Sequence, residues 1–148
     1  STLHTNDAAG ATTRLLDMGV EPFLVSSSVE GIMAQRLVRR ICEQCAAAWI
    51  PEKGELPEGW ESRPGDRLRK GAGCKACRNT GYRGRLGVYE LLTMTDELRE
   101  MIMRRANAHE IAGAAKRSGD LTTLLEDGLA KVRQGVTTVE EVVRAMSA

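Results

Sequence analysis

Four cysteines, and only four, stand in this chain of 148 residues, as Cys42-Glu43-Gln44-Cys45 and Cys74-Lys75-Ala76-Cys77. Two residues between sulfurs let both thiolates of a pair turn onto one metal from a tight knuckle, and two such pairs close a tetrahedral Cys₄ shell with no position left for water. The spacing therefore predicts one structural Zn²⁺ per chain, held by Cys42, Cys45, Cys74 and Cys77, and no metal-based catalysis. The 28 residues between the pairs exceed the spacer of about 15 to 20 usual for paired CxxC motifs, so the intervening chain, rich in Gly, Pro and Arg, must be a long excursion. The competing readings are redox-active or disulfide-bonded cysteines and unliganded buried thiols. Disulfides across CxxC would be strained, and nothing in the sequence points to an oxidising compartment. Arg39, Arg40, Lys75 and Arg78 flank the cysteines and would offset the two negative charges of a Zn–Cys₄ centre; the alternative is that they are solvated surface cations. Metal binding, worth on the order of 10 kcal/mol or more, would be folding energy for this arm, which should collapse without it.

Little else in the chain offers chemistry. No GxxxxGK[ST] loop and no GxGxxG occurs, so these residues supply no phosphate cradle. His109 falls in the first turn of a predicted helix and reads as a surface residue. His4 lies at a strand-to-helix junction among Ser1, Thr2, Thr5, Asn6 and Asp7, small hydrogen-bonding residues of a kind found at catalytic edges; a lone histidine by itself proves little. Twenty-one basic against 20 acidic residues leave a formal charge of +1, which excludes a whole-chain polyelectrolyte signal for nucleic acid. A local basic cluster (Arg39, Arg40, Arg63, Arg67, Arg69, Lys70, Arg83, Arg85) surrounds the metal motif, and a zinc-ribbon nucleic-acid-binding module is the second reading. The neutral balance and the scarcity of stacking aromatics (two Trp, two Tyr, one Phe) weigh against it. No apolar run approaches the roughly 18 residues that a membrane span requires.

The elements that must carry these residues announce themselves by their caps. Asp7 can N-cap a helix to about Met18, followed by Gly19. Pro22 opens a short helical segment that Ser26 to Ser28 interrupt or extend. Residues 31–40 read either as helix by propensity or as a strand with Ile32, Ala34, Arg36 and Val38 on one face, and periodicity does not decide. Gly81 to Leu92, punctuated by glycine with β-branched and aromatic residues between, reads as a strand. Four short one-sided helices follow. They open at Thr95, Asn107 with Glu110, Thr123 with Glu126, and Thr138 with Glu141, and are expected to pack as a small bundle.

Taken together, Ser1-Thr2-Leu3-His4-Thr5-Asn6-Asp7-Ala8, Glu21-Pro22-Phe23-Leu24-Val25-Ser26-Ser27-Ser28, Ala34-Gln35-Arg36-Leu37-Val38-Arg39-Arg40-Ile41-Cys42, the paired CxxC, Gly81-Tyr82-Arg83-Gly84-Arg85 and the closing residues 134–142 resemble, in order, the C-terminal part of the secretion-traffic ATPases of the GspE/PilB type. The resemblance implies an α/β fold, the C-terminal part of a RecA-like P-loop ATPase domain. Its divisions would be strands and helices of the ATPase core over 1–41, the tetracysteine zinc arm over 42–77, a return strand over 78–93 and a helical bundle over 94–148. It implies a cytoplasmic hexameric motor for type II protein secretion or type IV pilus assembly, working at the inner membrane through platform and tether proteins, with no nucleic acid and no membrane span of its own. The first eight residues are similar to the family's His box, which implies for His4 a catalytic role, near the nucleotide's terminal phosphate or in coupling it to movement. Arg85 would approach bound nucleotide, the alternative being a salt bridge on the strand surface. In the family the Walker A loop, acidic box and Walker B segment precede the His box. ATP and Mg²⁺ would therefore bind in the full-length parent only, and these 148 residues alone are expected to be inactive.

Overall fold

The computed structural model describes residues 1–147, and the chain divides into two compact units: residues 1–35 with 89–123, and residue 36 to 88 with 124 onward. Strand β1 (Gly31–Ile41) and strand β4 (Tyr82–Thr93) each give one end to each unit. With the two-residue β5 (Leu121–Thr122) they form a sheet of order β1-β4-β5. The ambiguous stretch 31–40 is thus strand. Its burial alternates residue by residue from Gly31 to Arg39, which only a period of two produces.

The first unit is an apolar core under helices whose ends were written in the sequence. Helix α1 (Ala8–Asp17) begins where the Asp7 carboxylate accepts the Gly10 N–H at 2.6 Å, and it ends before Gly19, whose φ of 87° any side chain would resist. Helix α2 (Pro22–Ser28) has Pro at its first position and extends through the three serines. Helix α3 (Asp96–Met103) is capped by Thr95. Helix α4 (Ala108–Ser118) carries a reciprocal box, with the Glu110 N–H donating to Asn107 at 2.9 Å and the Asn107 N–H to Glu110 at 3.0 Å. Leu98, Ile102, Ile111, Ala115 and Leu92 are fully or almost fully buried in one contiguous cluster with Ala8 and Val25. Strand β5 pairs antiparallel with the end of β4, Leu91 opposite Thr122 and Leu92 opposite Leu121.

The second unit holds the cysteines. Between them, β2 (Ala46–Ala48) pairs antiparallel with β3 (Arg69–Gly71), and a 3₁₀ turn spans Lys75–Cys77. Helix α5 (Leu124–Arg133) packs against α6 (Val139–Met146). Here two expectations change. The four C-terminal helices do not form one bundle. The apolar faces of α3 and α4 turn to α2 and α1 within the first unit, whereas α5 and α6 belong to the second. Nor does the inter-cysteine chain stand apart. Leu56, Trp60 and Leu68 from its long loop pack on Val132, Val139 and Val142 of α5 and α6, and the Arg67 N–H donates to the Arg133 carbonyl at 2.7 Å. A Cβ on Gly135 would lie 2.3 Å from the Arg67 carbonyl oxygen, so only glycine lets the two backbones meet there. The compact units therefore cut across the divisions expected from motif order. Among the described residues no helix is long and apolar enough to cross a membrane.

Candidate metal centre

Two knuckles bring the four sulfurs together. In the first, the Cys45 N–H turns back to the Cys42 carbonyl at 3.2 Å. In the second, Arg78 and Asn79 both adopt left-handed backbone (φ 53° and 60°), and the Asn79 N–H donates to the Cys74 carbonyl at 2.8 Å. The knuckles are tied by close backbone packing: a Cβ on Gly71 would sit 2.1 Å from the Gly81 oxygen, and the Gly81 carbonyl also accepts the Cys42 N–H at 2.9 Å. Glycine at 71 and 81 is what allows the first and second halves of the site to approach.

The resulting Sγ···Sγ separations are 3.9 Å for Cys42–Cys74, 3.8 Å for Cys45–Cys77 and 3.7 Å for Cys74–Cys77, and all four sulfurs lie within 4.8 Å of one another. A tetrahedron with Zn–S of about 2.3 Å has edges of roughly 3.8 Å, so this donor set fits a single ion of that size and coordination. All four thiols are free, with Cys42 and Cys77 buried. Backbone amides stabilise negative charge on sulfur: the Gly73 N–H points to Cys45 Sγ at 3.3 Å, and the N–H groups of Cys74 and Gly81 point to Cys77 Sγ at 3.2 and 3.3 Å. Burial alone would raise both thiols. At Cys45 it prevails and pushes the pKa up to about 11, whereas at Cys77 the two amide donors and the adjoining thiols outweigh it and bring the pKa down to about 6.

The flanking cations have the following surroundings. The Arg39 guanidinium is engaged by Glu141, and Arg40 lies 3.9 Å from Glu43, which Arg69 also binds at 2.8 Å. Lys75 and Arg78 are exposed. The donors that reach the sulfurs of Cys45 and Cys77 from the backbone are the amides of Gly73, Cys74 and Gly81. Of the basic cluster around the motif, Arg39, Arg40, Arg69 and Lys70 are ion-paired, and Lys70 also lies 3.9 Å over the Trp49 ring.

Glu141 is the residue that sequence reasoning missed. Its spacing from Thr138 predicts a helix cap, and Thr138 does accept the Glu141 N–H at 3.4 Å, but the carboxylate turns elsewhere. With 2 % of its side chain exposed, it accepts the Arg39 backbone N–H at 2.8 Å, Arg39 Nε and Nη2 at 2.8 and 2.5 Å, and Arg144 Nε and Nη2 at 3.1 and 2.9 Å. Burial opposes its ionisation, and the donors from Arg39 and Arg144 overcome that and lower its pKa to about 2. Tyr82 lies under the Arg39 guanidinium at 4.3 Å and shares a 2.8 Å hydrogen bond with Thr138, while the Thr137 hydroxyl donates to the Arg39 carbonyl. This cluster fastens α6 to the strand leading into Cys42.

The two remaining candidates stand apart from the cysteines in sequence and role. His4 belongs to the first unit, on the lead-in to α1, and its side chain is exposed. Its neighbours Ser1, Thr2, Leu3 and Thr5 line a cavity of about 450 Å³, which His4 itself does not. Arg85 belongs to the second unit, exposed on β4, and makes no ion pair among the described residues.

The chain is a mixed α/β protein whose four cysteines are gathered by two knuckles. Residues 1–144 match the family described as Type II/IV secretion system protein, and the chain belongs to that family. Over 146 residues it is 49% identical to the type IV pilus assembly ATPase PilB of Thermus thermophilus, covering 97% of this chain and 16% of that one. It is 46% identical to the type II secretion system protein E of Pseudomonas aeruginosa over 145 residues, and 46% identical to the type II secretion system ATPase E of Vibrio cholerae over 146, each time covering 97% of this chain and 28% of the relative. The chain thus spans between about a sixth and somewhat more than a quarter of these relatives' length.

Proposed function

We propose that this chain is the C-terminal portion of a RecA-like, hexameric ATPase that powers type II secretion or type IV pilus assembly from the cytoplasmic side of the inner membrane. The observation that carries the reading is the match across residues 1–144 to relatives named as ATPases of those two machines. In this reading ATP and Mg²⁺ bind in the full-length parent. His4 acts near the terminal phosphate, and Arg85, exposed and without an ion pair, is available to nucleotide. The cysteines hold one structural Zn²⁺, whose role is to fix the unit that docks the membrane platform and tether proteins; a closed Cys₄ shell supplies no chemistry of its own. Nucleic acid is not a partner, because half of the basic cluster is already neutralised within the fold.

The test uses the full-length polypeptide. ATP hydrolysis is measured for wild type, His4→Ala and Arg85→Ala, and secretion or piliation for a Cys42→Ser/Cys74→Ser double variant. The expected result is one zinc per chain, hydrolysis lost in His4→Ala, and transport lost in the double variant. A wild type that binds no ATP, or a double variant that transports normally, overturns the reading.

A further inference from the structure

A buried carboxylate in the first unit has been given no task. Glu90, on β4, is only 7 % exposed, and its Oε1 accepts the Ala8 N–H at 2.7 Å. Ala8 is the first residue of α1 and is itself fully buried, so its amide is one of the helix-terminal donors that water cannot reach. Asp7 takes the Gly10 amide, and the Thr5 hydroxyl donates to the Asp7 carbonyl at 3.1 Å. The lead-in that bears His4 is therefore pinned at its helix end by two carboxylates. One is local, and the other comes from a strand 82 residues further along the chain.

Asp7 is an ordinary N-cap. Glu90 is different, because a residue on a central strand fixes both where α1 begins and the direction from which residues 1–7 enter it. A carboxylate on the central strand that accepts a buried helix-end amide sets position, and the group whose position it sets is the histidine four residues before that amide.

We propose that Glu90 is a positioning residue for His4: its hydrogen bond to the Ala8 amide sets the register of the His4 segment against the sheet. This rests on the assignment of His4 to ATP hydrolysis above. The test is a double-mutant cycle in the full-length enzyme, with steady-state ATP hydrolysis as the readout. Glu90→Ala is expected to lower kcat about 100-fold, the scale of a displaced catalytic group, with KM for ATP within about twofold of wild type. Glu90→Gln, whose amide oxygen still accepts the Ala8 N–H, should recover most of that loss. In the Glu90→Ala/His4→Ala double variant the two losses should not multiply, because Glu90 acts only through His4. Multiplying losses, or a Glu90→Ala enzyme at the wild-type rate beside an inactive His4→Ala enzyme, overturn the positioning role and leave the ATPase reading standing. A wild-type protein without hydrolysis, by contrast, overturns that reading.

Discussion

The two units reach stability by different physical routes. The first rests on one contiguous apolar cluster, with Leu98, Ile102, Ile111 and Leu92 out of contact with water and helix ends satisfied by local caps. The second divides its apolar residues between two small clusters, one around Val38 and Val88 and the other around Val132 and Val142. It makes up the difference with a Cys₄ centre, the Glu141 cluster and the Arg133–Asp66 pair at 2.6 Å, in which both side chains are largely buried. Apolar burial is indifferent to pH and chelators; thiolates and carboxylates are not. The comparison predicts a molecule whose halves fail under different conditions.

The largest effect should come from metal removal. Binding of a structural Zn²⁺ is worth on the order of 10 kcal/mol, more than two small clusters can replace. Chelation should abolish amide protection across residues 36–88 and 124–147 and leave it across 1–35 and 89–123, as read by hydrogen exchange. Both tryptophans, Trp49 and Trp60, lie in the second unit, so tryptophan fluorescence follows that unit alone. Equal loss of protection in both units would end the comparison.

The converse is a cavity in the first unit. Ile102→Ala, at a fully buried site, should cost about 2–5 kcal/mol in denaturant unfolding of residues 1–35 and 89–123, with zinc content and tryptophan emission unchanged.

Glu141 titrates near 2 in the fold against about 4.3 unfolded, a difference of roughly 3 kcal/mol at neutral pH. Because the folded pKa is the lower one, this contribution is complete above about pH 4.5 and is lost as pH falls through the range toward 2. Glu141→Gln should therefore destabilise the second unit by about that much at pH 7, by leaving two guanidinium groups against a neutral amide. The gap between variant and wild type should close on acidification; a gap independent of pH from 7 to 3 would show that packing, not charge, is at stake.

What the sequence disclosed was local. Asp7, Thr95 and Asn107 with Glu110 cap helices as their spacing demands, and CxxC pairs form knuckles, because each of these devices closes within three or four residues. What it concealed was long-range. Thr138-x-x-Glu141 carries the same signature as Asn107-x-x-Glu110, yet one glutamate folds back on its own helix and the other reaches Arg39, 102 residues away. The caps say where helices start and nothing about their neighbours. Hence the four C-terminal helices are legible one by one, while their division between two units follows from partners distant in sequence, α1 and α2 for α3 and α4.

The smallest predicted effects carry opposite signs in the two units, and they come from one glycine in each. Gly128 lies in α5, where an added Cβ would meet Val142 Cγ1 at 2.6 Å and Cγ2 at 3.1 Å; Val142 is fully buried and has no room to withdraw. Gly113 lies in α4, where the same Cβ would meet only the end of the Arg117 side chain at 3.4 Å, a group free to move aside. Both positions are helical, so alanine gains about 0.5–1 kcal/mol at each by restricting the unfolded chain. At Gly113 nothing opposes that gain, and Gly113→Ala should stabilise the first unit by about that amount. At Gly128 the overpacking cost of about 1–3 kcal/mol exceeds it, and Gly128→Ala should destabilise the second by pushing α5 off α6. The measurement is the denaturant midpoint of each unit, by hydrogen exchange for the first and tryptophan emission for the second. Stabilisation by both substitutions would mean that α5 and α6 are not held at the separation on which the second unit is built.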